Sequence, residues 1–123
     1  MHNAIRAAAL AAALIPAAST AAQAVDYYGA IAYAQSTRQH GYAYDFTSQA
    51  AAEKAALEEC NKRSAGCESA IWFRNACGAL SIGNGGWGAS WGEDQQLAEG
   101  RAMQKCYEFT TGCKIERWVC TRR

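Results

Sequence analysis

Cys60, Gly66, Cys67 and Trp72 recur as Cys106, Gly112, Cys113 and Trp118, displaced by 46 positions. The same displacement carries Ala52, Glu53, Ala56 and Leu57 onto Ala98, Glu99, Ala102 and Met103. Further upstream it becomes 49, matching Tyr28-Gly29-Ala30-Ile31 with Cys77-Gly78-Ala79-Leu80, so hairpin turns must absorb the three extra positions. A chain written this way folds the same unit twice. Two units are too few for a solenoid, so the expectation is one pseudo-symmetric domain over residues 25–123, with repeats at about 28–76 and 77–123.

Each unit has a readable order. Ile31 and Tyr33, like Leu80 and Ile82, alternate at period two and predict half-buried strands. Turn-rich stretches follow at 35–41 and 83–88, then short aromatic strands over Tyr42–Phe46 and Gly88–Trp91. Ser48 and Asp94 are equivalent N-caps, because a side-chain oxygen there accepts a free N–H of the first helical turn. The Ala-, Glu-, Lys- and Gln-rich segments behind them favour helix. Ala52, Ala56 and Cys60, with Ala98, Ala102 and Cys106, form small-residue stripes suited to close approach to a sheet. Strands over Glu68–Phe73 and Lys114–Cys120 close the units. The fold class is α+β: strand, strand, helix, strand, repeated once, mainly antiparallel with two helices.

The cysteines follow the repeat. Six allow 15 pairings; the repeat selects Cys60–Cys67 and Cys106–Cys113 as local clips and leaves Cys77 with Cys120. They suit a chain with a thin core, since after residue 24 only ten Leu, Ile, Val and Met residues remain and Ala buries little area. Loop entropy assigns about 2–3 kcal/mol to each short clip and about 4 to the long one, as upper figures. Zinc is disfavoured, because close C-x2-C spacing is missing.

The first 24 residues read as a signal peptide. Arg6 supplies a positive start, Ala7 to Ile15 an apolar run, and Ala22-Gln23-Ala24 the A-x-A cleavage pattern. That run is about half of the roughly 20 residues a membrane span needs. The expected product is soluble, periplasmic or secreted, with no membrane insertion after cleavage, and a setting that permits disulfides. Without Arg6 it carries 11 Lys+Arg against 11 Asp+Glu, a balance that argues against nucleic-acid binding. The Arg122-Arg123 pair reads as a solvated tail.

Tyr28-Gly29-Ala30-Ile31-Ala32-Tyr33, Ala50-Ala51-Ala52-Glu53 and Trp72-Phe73-Arg74-Asn75-Ala76-Cys77-Gly78-Ala79 carry a resemblance. So do Gly83-Asn84-Gly85-Gly86, Trp87 to Gly92 and Trp118-Val119-Cys120. On these residues the chain resembles the exported bacterial family catalogued as domain of unknown function 4189. The resemblance implies an exported α+β domain and brings no catalytic residues with it.

Gly83 to Gly88 spells G-x-G-x-x-G, but strand-like aromatic sequence follows it rather than a helix, and Asn84-Gly85 is a hairpin signal. Nucleophilic catalysis needs a nucleophile with a base in reach. His40 is the one histidine after residue 24 and reads as an exposed loop residue. The cysteines are claimed by disulfides, and Ser48 by its cap. No catalytic residue, metal ligand or cofactor is therefore assigned. Glu58-Glu59 and Glu93-Asp94 keep a carboxylate-dependent chemistry open.

The binding candidates are Tyr42, Tyr44, Arg74, Asn75, Trp87 and Trp91. Tyr42 and Tyr44 share one strand face, Trp87 and Trp91 mark the matching hairpin, and Arg74-Asn75 follows an apolar Ala70 to Phe73 run read as buried. Aromatic–Arg groupings recur at binding hot spots. Each also has a structural reading: aromatics pack well in strands, Arg74 pairs with a carboxylate, and Asn75 makes a turn. The expectation is a non-catalytic binding protein with a protein partner, an inhibitor or immunity-type factor in the cell envelope. The alternatives are a cell-wall or glycan-binding module and a small cell-wall hydrolase.

Overall fold

The structure, a computed structural model, describes residues 11–14 and 24–122, so the signal-peptide reading falls almost wholly outside the described residues. The elements are β1 (Tyr28–Ala34), β2 (Gln39–Phe46), α1 (Gln49–Asn61) and β3 (Glu68–Arg74). The second set is β4 (Cys77–Ile82), β5 (Trp87–Gly92), α2 (Gln95–Phe109) and β6 (Lys114–Cys120). They form two antiparallel three-stranded sheets, ordered β2-β1-β3 and β5-β4-β6. Each helix covers the outer face of its own sheet, and the two inner faces pack together. The α+β repeat is therefore a four-layer stack with a pseudo-twofold axis between the sheets.

Both caps form as the sequence demands: Ala51 N–H donates to Ser48 Oγ (3.2 Å) and Leu97 N–H to Asp94 Oδ1 (2.8 Å). Ala52, Ala56, Cys60, Ala98, Ala102 and Cys106 are the buried helix residues. A Cβ at Gly41 would strike the backbone of α1 at Ala56 and Cys60, and one at Gly88 would strike α2 at Ala102 and Cys106. Helix and strand thus touch backbone to backbone, which is why Ala and Gly dominate these layers.

The central strands are not half-buried. Ala30, Ala32 and Ala34 pack under α1, while Ile31 and Tyr33 face the opposite sheet. Likewise Ala79 faces α2 and Leu80 faces the other sheet. The period-two pattern identified the larger residues; alanine on the alternate positions filled the second face. Phe73, 1 % exposed, lies between the sheets with its ring against Gly29 and Gly78, the equivalent glycines of the two central strands. Its neighbours in the Ala70–Phe73 run are not buried: Trp72 is exposed, because it lies on the helix side of an edge strand.

All three expected disulfides are present, Cys60–Cys67, Cys106–Cys113 and Cys77–Cys120. The last joins directly opposed residues of β4 and β6. Three disulfides in so small a domain are consistent with an oxidising environment outside the cytosol. Among the described residues no helix is long and apolar enough to cross a membrane.

Arg122 is exposed, as the sequence suggests, and is also tied to the first unit. Arg122 N–H and Nε both donate to the Asp45 carboxylate, at 2.7 and 3.0 Å. Asp45 has φ 60° at the point where the β1–β2 ladder slips register.

Candidate functional site

Strand register places two equivalent clefts at opposite edges of the stack. Tyr33 opposes His40 as Ile82 opposes Trp87, and Ile31 opposes Tyr42 as Leu80 opposes Ala89. On the other side of the central strands, Ile31 opposes Ile71 as Leu80 opposes Arg117. The edge between β2 and β6 thus carries His40, Tyr42, Tyr44 and Arg117. The edge between β5 and β3 carries Trp87, Ala89, Trp91 and Ile71. The repeats share a backbone and have exchanged a polar, cationic cleft for an apolar one.

In the β2–β6 cleft the rings of Tyr42 and Tyr44 stack, with centroids 6.4 Å apart and planes within 10°. Arg117 lies over Tyr42 at 4.4 Å and donates from Nε to His40 Nε2 at 3.1 Å. His40 is therefore neither in a loop nor exposed. It belongs to β2 and is 9 % exposed, with its backbone carbonyl also accepting from Arg63 Nη1 at 3.0 Å. Burial first, then the Arg117 guanidinium, lowers its pKa below the ordinary 6.5, while Glu116 opposes the shift. The contact between the Arg117 guanidinium and the His40 imidazole links β6 of one sheet to β2 of the other.

In the β3–β5 cleft, Ile71, Trp72, Phe73 and Arg74 from β3 meet Trp91 from β5 around a depression of about 380 Å³. Trp72 is 42 % and Trp91 45 % exposed. Arg101 covers one side of Trp91, with its guanidinium 5.5 Å from the ring centroid and Nη1 donating to the Trp91 carbonyl at 3.1 Å. Arg74 stands at the rim, 4.0 Å from the Asp26 carboxylate, with its side chain 58 % exposed. A pair so open to water holds Arg74 weakly.

The six residues proposed from sequence therefore do not form one patch. Arg74 and Trp91 come together, and Tyr42 and Tyr44 come together on the opposite edge. Trp87 is half-buried, packing edge-on against Tyr33 at 5.4 Å near the β4–β5 turn. Asn75 takes the turn role: with φ 47° it accepts at Oδ1 from Tyr27 N–H (2.9 Å) and donates to Asp26 (2.8 Å).

Asn75 also has a counterpart that sequence comparison missed. Thr121 Oγ1 accepts from Ala76 N–H at 3.1 Å, and the backbone pairs Asn75–Tyr27 and Thr121–Ala76 repeat the same bond. The displacement of 46 links Asn75 to Thr121, and the signal was hidden because different side chains perform the same task. Trp72 and Arg101 were likewise passed over. Trp72 could have been found from its partner Trp118, since both large rings sit on edge strands. Arg101 offered no sequence signal.

The Gly83–Gly86 segment is a hairpin turn, with Gly83 N–H donating to the Gly86 carbonyl at 2.8 Å. Arg38 Nη2 donates to the carbonyls of Gly83 and Asn84 at 3.1 and 3.0 Å, tying the first unit to the second. Among the described residues, no three His, Cys, Asp or Glu side chains cluster as a metal site would require.

The model of the family described as "Domain of unknown function (DUF4189)" matches residues 28–120. The chain is also similar to a solved structure described as the NMR structure of Rv1813c from Mycobacterium tuberculosis. That match has 31 % identity over 76 % of this chain and 74 % of the other, with a TM-score of 0.57. No curated protein matches the chain.

Proposed function

The chain belongs to the DUF4189 family, and from that premise we propose that it is an exported binding protein whose partner is another protein of the cell envelope or its surroundings. The observation that carries the reading is the β3–β5 cleft, where two half-exposed tryptophans and an accessible arginine sit on adjoining strands of a disulfide-stapled domain. Burying Trp on binding yields a large contact area with few rotors to freeze. Rigid strands keep the ordering cost of association small. An inhibitor or immunity-type role follows most directly, because such a surface blocks or caps a partner without performing chemistry.

Export to the periplasm or beyond accompanies this reading, on the strength of the signal-peptide sequence and the three disulfides. Capture on the immobilised oxidised domain from envelope and secreted fractions tests it. One stoichiometric protein, lost with Trp91→Ala, is the expected result. Retention of isolated cell wall alone would move the assignment to a glycan-binding module. Turnover of cell-wall material abolished by a Glu→Gln change would move it to a hydrolase.

A further inference from the structure

We propose that the β3–β5 cleft receives its partner as an added β-strand: an extended polypeptide segment bearing a carboxylate, laid along the free edge of β3 from Ile71 to Arg74. This deepens the binding-protein reading and rests on it.

Four consecutive residues line the depression. Side chains of a strand alternate between faces, so Ile71 and Phe73 point between the sheets while Trp72 and Arg74 point to the α1 side. A hollow touching all four lies against the strand's edge, where its main-chain groups are. Among the described residues, β3 is the outer strand of its sheet and pairs only with β1. Among the described residues, the backbone bonds outside regular elements include none from Ile71, Trp72 or Phe73. Every second residue of this edge therefore offers an unpaired N–H and C=O, the feature that strand-adding ligands recognise.

The register fixes the extent. The β1–β3 ladder slips between Ile31 and Ala32, where Ile71 and Ser69 are successive partners and Ala70 is the extra residue. A bulge bends and twists an edge away from regular pairing, so the usable edge begins at Ile71, where the depression begins. Trp91 forms the far wall and would cover side chains on the inner side of the added strand. Trp72 would cover those on the outer side.

Charge fixes the chemistry. Of the lining residues only Arg74 is charged, and Arg101 adds a second cation beside Trp91. Asp26, 4.0 Å from Arg74, is the acid the segment's carboxylate would displace. The occupant is thus an extended segment with an acidic residue facing Arg74 and an apolar residue facing Trp91. A bidentate carboxylate–guanidinium pair beside a tryptophan face would give register as well as affinity.

A displayed library of random linear peptides, selected on the oxidised domain, supplies the probe. The selected peptides are expected to carry Asp or Glu next to an aliphatic or aromatic residue. They should slow amide hydrogen exchange at alternate positions of Ile71–Arg74 and lose roughly tenfold or more in affinity with Trp91→Ala. Arg74→Glu should reverse the acidic preference while circular dichroism stays unchanged. Peptides that bind and depend on Trp91 but leave exchange at β3 unaltered would overturn strand addition and leave the binding-protein reading standing. Peptides that protect the β2–β6 edge instead would overturn the site. Selection of no linear peptide, while a folded protein partner is captured through Trp91, would likewise refute an extended occupant.

Discussion

His40 carries a consequence that can be measured. Its pKa is lowered in the folded state by burial and by Arg117, so the unfolded chain binds more protons near and below the ordinary pKa of 6.5. Stability must then fall as pH drops through about 6.5, with a slope of at most about 1.4 kcal/mol per pH unit for one proton, and level off above neutrality. Urea titrations between acid and neutral pH should show that slope. His40→Gln, which keeps an acceptor for Arg117, should flatten it. Phe73 is the other decisive residue. Its ring fills the space between Gly29 and Gly78, and neither glycine has a side chain with which to fill the hole its removal would leave. Phe73→Ala is expected to cost on the order of 3–5 kcal/mol in denaturant unfolding, and Trp91→Ala far less, because Trp91 is half exposed. None of this was legible residue by residue. A histidine in a polar stretch reads as loop, and only the opposing sheet buries it.

Elements were far more legible than their surroundings. Ser48 and Asp94 announce the helix starts, and the alanine–cysteine stripes announce the buried helix faces, because capping and helical spacing are local properties. Ser48→Ala and Asp94→Ala should each lower stability by about 1 kcal/mol, read as a shift in the urea midpoint at constant slope. The bulge at Ala70 and the register slip at Asp45 were not legible, since both arise from pairing with β1. They are the features that set the edges: one limits the open stretch of β3, and the other brings the Asp45 carboxylate to Arg122. The aromatic residues were recognised as a class but not as two clefts, because period two gives a side chain's face and not the strand that covers it.

At the scale of the molecule, the repeat predicts dependence. Each unit presents a large-residue inner face, with Ile31, Tyr33 and Phe73 on one side and Leu80 and Val119 on the other. Neither can bury it alone. Residues 28–76 or 77–123 made separately should lack cooperative unfolding and dispersed amide resonances, even with the local clip intact. The same duplication explains the division of labour between clefts. One edge uses His40 and Arg117 to join the sheets, while the other has Trp87 and Ile71 at the equivalent positions and keeps its cations, Arg74 and Arg101, beside an open apolar hollow. The claim that the β3–β5 edge is the working surface is tested most directly by comparing the two edges in one capture experiment. Domains carrying Trp91→Ala with Arg74→Glu, or Tyr44→Ala alone, would be set beside the parent domain and the bound proteins quantified. Loss of the stoichiometric partner with the first variant and retention with the second is the predicted result. Retention with the first and loss with the second would place recognition on the β2–β6 edge and contradict the account.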